Sequence, residues 1–231
     1  MKHNIKKRIA AILCALAVAV PMTANIAVSP KNGLTASVAV STDYLSPTFV
    51  HQYCNPIPMF TQYGNHSCWA YILRSLTVYK YNYFPSDNEL ANIANNYTMN
   101  TGLPSLTYHP DSISPVDASI SSGAFTYVVH NYFSNAFMFS HPVQHLSGAT
   151  ISSYINNDQP LIIFCSTQGE GHILLLYGYY ASNVFGDNIS YVEAYDPYDG
   201  STKMLTVPTS GNATFNVNGL TYTWDKSILF Q

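Results

Sequence analysis

Apolar positions in the first half of the chain recur at helical spacing. Trp69, Ile72, Leu73, Leu76, Tyr79 and Tyr83 fall on one face, which predicts a helix that begins at Cys68. Ser86 with Glu89 three residues on forms a capping box ahead of Leu90, Ile93, Ala94 and Tyr97. Gly102 and Pro104 then end that second helix. A third helix is expected over Val116 to Tyr132, and a short fourth over Ala149 to Asn157 with Ser147 as its cap. Beyond residue 160 the pattern shortens to strands: Pro160–Ser166, His172–Tyr180, Ile189–Tyr195, Lys203–Val207, Ala213–Val217 and Leu220–Trp224, divided by Gly, Asn, Pro and Ser clusters. Helices first and strands afterwards predict an α+β fold with two facing lobes, an N-terminal helical lobe and a C-terminal antiparallel sheet lobe.

The N-terminus follows another pattern. Lys2, Lys6, Lys7 and Arg8 precede an apolar run from Ile9 to Val20, and Pro21 breaks that run before Thr23 and Ala24. This is the order of a signal peptide over 1–24, with an apolar stretch short for a membrane span. The chain is therefore expected to be secreted, and Asn65-His66-Ser67, which a eukaryote would glycosylate right beside Cys68, favours a bacterial source. Residues 25–43 are expected to be a linker or short pro-segment, and 44–231 one domain. Loss of the signal leaves five Lys and Arg against twelve Asp and Glu, a net charge of −7. A surface that acidic disfavours nucleic acid and anionic membranes as partners.

Cys14 would leave with the signal, so Cys54, Cys68 and Cys165 remain. An odd number in an exported protein is compatible with one thiol kept for chemistry and a Cys54–Cys165 disulfide, or with three free thiols.

The run Gln62 to Ala70, QYGNHSCWA, carries the strongest chemical signal. Turn-prone residues precede Cys68 and the helix follows it, so the thiol lies where unpaired N–H groups and the macrodipole favour negative charge. Gln62 is a candidate amide donor to an oxyanion. A thiolate needs a base, and His172 opens a buried strand after Gly169-Glu170-Gly171. If the next two strands form a hairpin centred near Val184, Asp196 falls directly opposite His172, about 5 Å away at Cα. Asp196 is thus the expected orienter of the imidazole, whereas Asp199 lies past the strand end and is expected to contribute little.

Gln62 with Ser67-Cys68-Trp69-Ala70 resembles the nucleophile segment of papain-family cysteine peptidases. Gly171-His172 with Asp196-Pro197 is similar to the bacteriocin-processing branch of papain-like domains. The resemblance implies a papain-like two-lobed fold and a peptidase acting on a peptide or protein substrate through a thioester acyl-enzyme. In it Cys68 attacks, His172 shuttles the proton, Asp196 orients, and Gln62 with the Cys68 N–H holds the oxyanion. His66 stands where that family usually has glycine, and Asp196 where papain has asparagine.

No cofactor or metal is expected. His141 and His145 are separated by Pro142, and no further ligands accompany them. Asp196, Asp199 and Gly200 lack the full oxygen series of a calcium loop. His130 sits in an apolar helical pattern and is expected to pack in the core. Two other readings remain open: another Cys-His-Asp acyl-transfer enzyme, transglutaminase-like or a cell-wall amidase, and a binding domain without activity on the same fold.

Overall fold

The computed structural model describes residues 50–140, 146–167, 171–181, 188–208, 211–217 and 219–230. The expected signal and linker, and the His141–His145 pair, lie outside them. The elements are β1 (Val50–Tyr53), α1 (Cys68–Tyr81), α2 (Asp87–Thr101), β2 (Leu106–Tyr108), β3 (Ala118–Ile120), α3 (Ser122–Tyr132), β4 (Ala136–Ser140), α4 (Gly148–Asn156), β5 (Leu161–Ser166), β6 (Gly171–Ala181), β7 (Ile189–Asp196), β8 (Ser201–Thr206), β9 (Thr214–Val217) and β10 (Leu220–Phe230). Together they are a mixture of helices and antiparallel sheet.

The main sheet runs β4-β10-β5-β6-β7-β8, with β1 added to β6 and β9 to β10. Its centre, β5 and β6, is almost continuously apolar and buried, as strands covered on both faces must be. Helix α1 packs on β6, burying Trp69, Ile72, Leu73 and Leu76 completely or nearly so. Each such side chain contributes about 1.5–3 kcal/mol relative to exposure. The apolar face ends one turn earlier than its periodicity: Asn82 adopts a left-handed conformation at the C-cap, and Tyr83 beyond it is exposed.

Caps account for the other helix starts. The hydroxyls of Ser86, Ser121 and Ser147 accept the backbone N–H three residues on, at 3.2, 3.3 and 3.1 Å. The third helix is shorter than its periodicity suggests. It begins at Ser122 because Ser121 caps it, and Ala118–Ile120 instead pair with Leu106–Tyr108 in a small second sheet. His130 lies on the exposed face of that helix, its ring bonded to the Ala136 carbonyl, and is not a core residue.

The β6–β7 register also departs from the simple hairpin. Leu175 faces Tyr195, and irregularities between Leu176 and Gly178 and between Tyr180 and Ala181 shift the ladder. One step further along, Asp196 falls opposite Leu174 and not opposite His172. The displacement is two residues, and strand side chains alternate with period two, so both side chains still share a face as diagonal neighbours.

Candidate active site

Three pieces of chain converge: the loop 61–67 leading into α1, the start of β6, and the turn 197–200 joining β7 to β8. The loop and the turn are bonded directly, since the Gln62 N–H donates to the Pro197 carbonyl at 2.7 Å. Gly200 (φ +70°) lies so close to Thr61 that a Cβ would collide with the threonine hydroxyl.

Cys68 is the first residue of α1 and is partly exposed. Its N-cap, Ser67, is fully buried but makes no side-chain cap; its hydroxyl donates to the Tyr63 carbonyl at 2.9 Å. The first-turn N–H groups therefore lack the side-chain acceptor that the other three helices have. Such groups, with the helix dipole, favour negative charge at the Cys68 sulfur or on an oxygen beside it. Trp69 anchors the same turn, its indole N–H donating to the Ala118 carbonyl at 3.0 Å.

Asp117 shapes the loop from behind. Fully buried, it accepts the His66 N–H at 2.8 Å on one oxygen and the Ile113 N–H at 3.0 Å on the other. Gly64 (φ +94°) presses against this carboxyl, where any Cβ would clash. Glycine is thus required there for both conformation and space. The Gln62 amide then donates to the Gly64 carbonyl at 2.8 Å. That uses one of its two hydrogens and leaves the other for a second acceptor. The Gln62 amide oxygen is buried without a hydrogen bond.

His66 does not enter this arrangement with its ring. Its imidazole stacks on His109 at 3.8 Å and lies 3.4 Å from Asp111, which holds it against the β2–β3 connection. Among the described residues, no group of three or more His, Cys, Asp or Glu side chains is arranged to hold a metal.

At the sheet end, His172 Nε2 and Asp196 Oδ1 are 2.8 Å apart, and both side chains are buried. The same Asp196 oxygen accepts the Tyr198 N–H at 2.9 Å. Nε2 is thus taken by the carboxylate, which leaves Nδ1 as the ring nitrogen free to serve Cys68, whose side chain lies near enough to act on the ring electrostatically. Burial opposes charge on this ring, but the bond to Asp196 and the influence of Cys68 outweigh it and raise the His172 pKa to about 10. The imidazolium is therefore the favoured form, the partner that a thiolate requires. Tyr222 of β10 flanks the ring at 5.7 Å.

Cys54 and Cys165 are free, buried thiols. Cys54 bonds through its N–H to Tyr177, whereas Cys165 sits opposite His172. Five residues along one strand separate those levels by about 17 Å, far beyond the reach of a disulfide. Burial, with Asp158 adding to it, pushes the Cys54 thiol up to about 12, and burial drives Cys165 well above the usual thiol range. Neither is a nucleophile near neutral pH.

The four residues singled out in the sequence, Cys68, His172, Asp196 and Gln62, thus lie on three pieces of chain that meet. Asp117 and Lys203 were not foreseen. Asp117 carried no sign beyond a lone acid in an apolar stretch. Lys203, whose ammonium ion-pairs with Asp199 and lies 3.8 Å from Asp196 Oδ2, figured in the sequence only as the first residue of the Lys203–Val207 strand.

No family model matches the chain, and no curated protein matches it. Among solved structures it is similar to the peptidase domain of Streptococcus ComA, a bi-functional ABC transporter involved in a quorum sensing pathway. The identity is 11%, the match covers 76% of this chain and 100% of that chain, and the TM-score is 0.41.

Proposed function

We propose that the protein is a papain-like cysteine peptidase, secreted by a bacterium, that cuts peptide bonds in a peptide or protein substrate with a Cys68-His172-Asp196 triad. The observation that carries the reading is one imidazole bonded at Nε2 to a buried carboxylate 2.8 Å away, with the thiol that opens helix α1 near enough to help raise its pKa. In this reading α1 belongs to a helical lobe and β6 to a sheet lobe, and the substrate binds where their starts, Cys68 and Gly171-His172, meet at the surface.

The reaction follows from those positions. The Cys68 thiolate attacks the scissile carbonyl carbon, and the carbonyl oxygen takes the negative charge. The Cys68 N–H and the second hydrogen of the Gln62 amide are its donors. His172 gives its proton to the leaving amine, the C–N bond breaks, and a thioester remains. Water then loses a proton to His172 as it attacks the thioester, and the acid product leaves with the thiolate restored. Asp196 accepts the hydrogen bond of the Nε2 proton and orients the ring, which leaves Nδ1 for the sulfur.

The test uses an epoxide thiol inhibitor and a fluorogenic peptide library on the mature protein. Covalent labelling of Cys68 alone, with hydrolysis lost in both the labelled protein and Cys68→Ala, is expected. Hydrolysis by Cys68→Ala equal to that of the wild type would sink the reading. Including a primary amine decides between hydrolysis and acyl transfer, because a transferase would release the amide as its main product.

A further inference from the structure

We propose that Lys203 is a positioning residue for this reaction, holding Asp196 as the charged partner of His172; the inference rests on the triad reading. Asp196 has no exposed surface. Its Oδ1 serves both His172 Nε2 and the Tyr198 N–H, while its Oδ2 is buried without a hydrogen bond. A carboxylate in that setting needs a nearby cation on its second side, because burial disfavours the charged form. Lys203 Nζ lies 3.8 Å from Oδ2.

The fold aims the lysine there. Asp196 pairs with Ser201 across the β7–β8 ladder, and Lys203 is two residues beyond Ser201, so its side chain leaves the sheet on the same face as Asp196. Asp199 in the intervening turn anchors the ammonium, and is itself fixed by the Ser201 N–H at 3.0 Å and hydroxyl at 2.6 Å. Of the four described Lys and Arg side chains, the other three are engaged elsewhere: Arg74 with Asp87, Lys80 with the Asp158 carbonyl and Lys226 with Ser122.

The result is a row of alternating charge: Asp199, Lys203, Asp196, His172, Cys68. The remaining titratable groups around it come from neighbouring strands. Cys165 faces His172 from β5 as a neutral thiol. Asp225 of β10 is bonded to Ser166, burial raises the Tyr195 phenol of β7 above its usual range, and the Tyr222 ring of β10 flanks His172. None supplies a second positive charge to Asp196. Asp199, expected from its position to contribute little, thereby gains an indirect part through Lys203.

The experiment measures the rate of iodoacetamide alkylation of Cys68 from pH 4 to 9 in the mature protein, with the modified site mapped by mass spectrometry. kcat and KM are measured for a peptide substrate in parallel. Wild type should alkylate rapidly at acidic pH, as a thiolate–imidazolium pair does. Lys203→Met should slow alkylation at pH 5 by about ten-fold, the weight of one pKa unit in the pair, and lower kcat with KM unchanged. Lys203→Arg should restore both. A Lys203→Met profile that superimposes on wild type overturns the inference while leaving the triad intact. So does a Lys203→Arg profile that follows Lys203→Met, since the loss would then be one of hairpin structure and not of charge. A wild type that alkylates like an ordinary thiol overturns the triad reading and the inference with it.

Discussion

Asp117 stands behind the nucleophile loop and Asp196 behind the histidine, and neither has any exposed surface. Asp117 gives both oxygens to backbone N–H groups, those of His66 and Ile113, and touches no titratable side chain in doing so. Asp196 gives one oxygen to an imidazole and a backbone N–H, and keeps the other free of hydrogen bonds near a lysine. The first carboxylate is saturated by the chain it folds. The second is joined to an imidazole whose charge would change in the proposed reaction. Burial alone therefore does not mark a functional acid; its partners do.

Substitution at the two positions should separate these roles most sharply. Asp196→Ala is expected to lower kcat by about a thousand-fold or more, as loss of a triad orienter does, with KM little changed and the fold retained. Asp196→Asn should keep more activity than Ala, because its amide oxygen still accepts the ring N–H. Asp117→Ala removes the acceptor of two part-buried backbone N–H groups and empties a fully buried site, so its main effect should be a lower urea midpoint. If Asp117→Ala unfolds at the wild-type midpoint yet loses turnover, the division between scaffold and chemistry is wrong.

Gln62→Ala comes next. It should slow turnover by about ten- to a thousand-fold if one oxyanion donor is lost, measured as kcat on a small amide substrate. Gly64→Ala tests how the loop is held, because the added methyl must displace the Asp117 carboxyl. It should reduce both stability and kcat, and Gly64→Ala combined with Asp117→Ala should cost less than the sum of the two.

The last expected effect is a pH dependence. His172 is raised from an ordinary value near 6.5 to about 10, so folding favours its protonated form. Stability from this source is fully present below about pH 6.5 and is lost as pH rises through about 10. Urea unfolding at pH 6 and pH 10 should show that decline in wild type and a flatter dependence in His172→Gln. A decline of equal size in the variant would place its origin elsewhere.

Much of the molecule follows from local rules. The serine caps, the apolar face of α1, the stop at Gly102 and the buried runs of β5 and β6 depend on neighbours within a turn or a strand, and residue order alone makes them legible. Cys68 before an apolar helix and His172 opening an apolar strand belong to the same class. The third helix misled because Val116–Ile120 is compatible with either state, and the pairing with Leu106–Tyr108 decided it. The hairpin estimate brought His172 and Asp196 together with the ladder two residues out of step; the even period of the strand kept them on one face despite the bulges. What only tertiary structure decided were contacts across distant segments: Asp117 under Gly64, Gln62 against Pro197, and the separation of Cys54 from Cys165. Each depends on which strands lie side by side, a matter of burial and packing that no local pattern encodes.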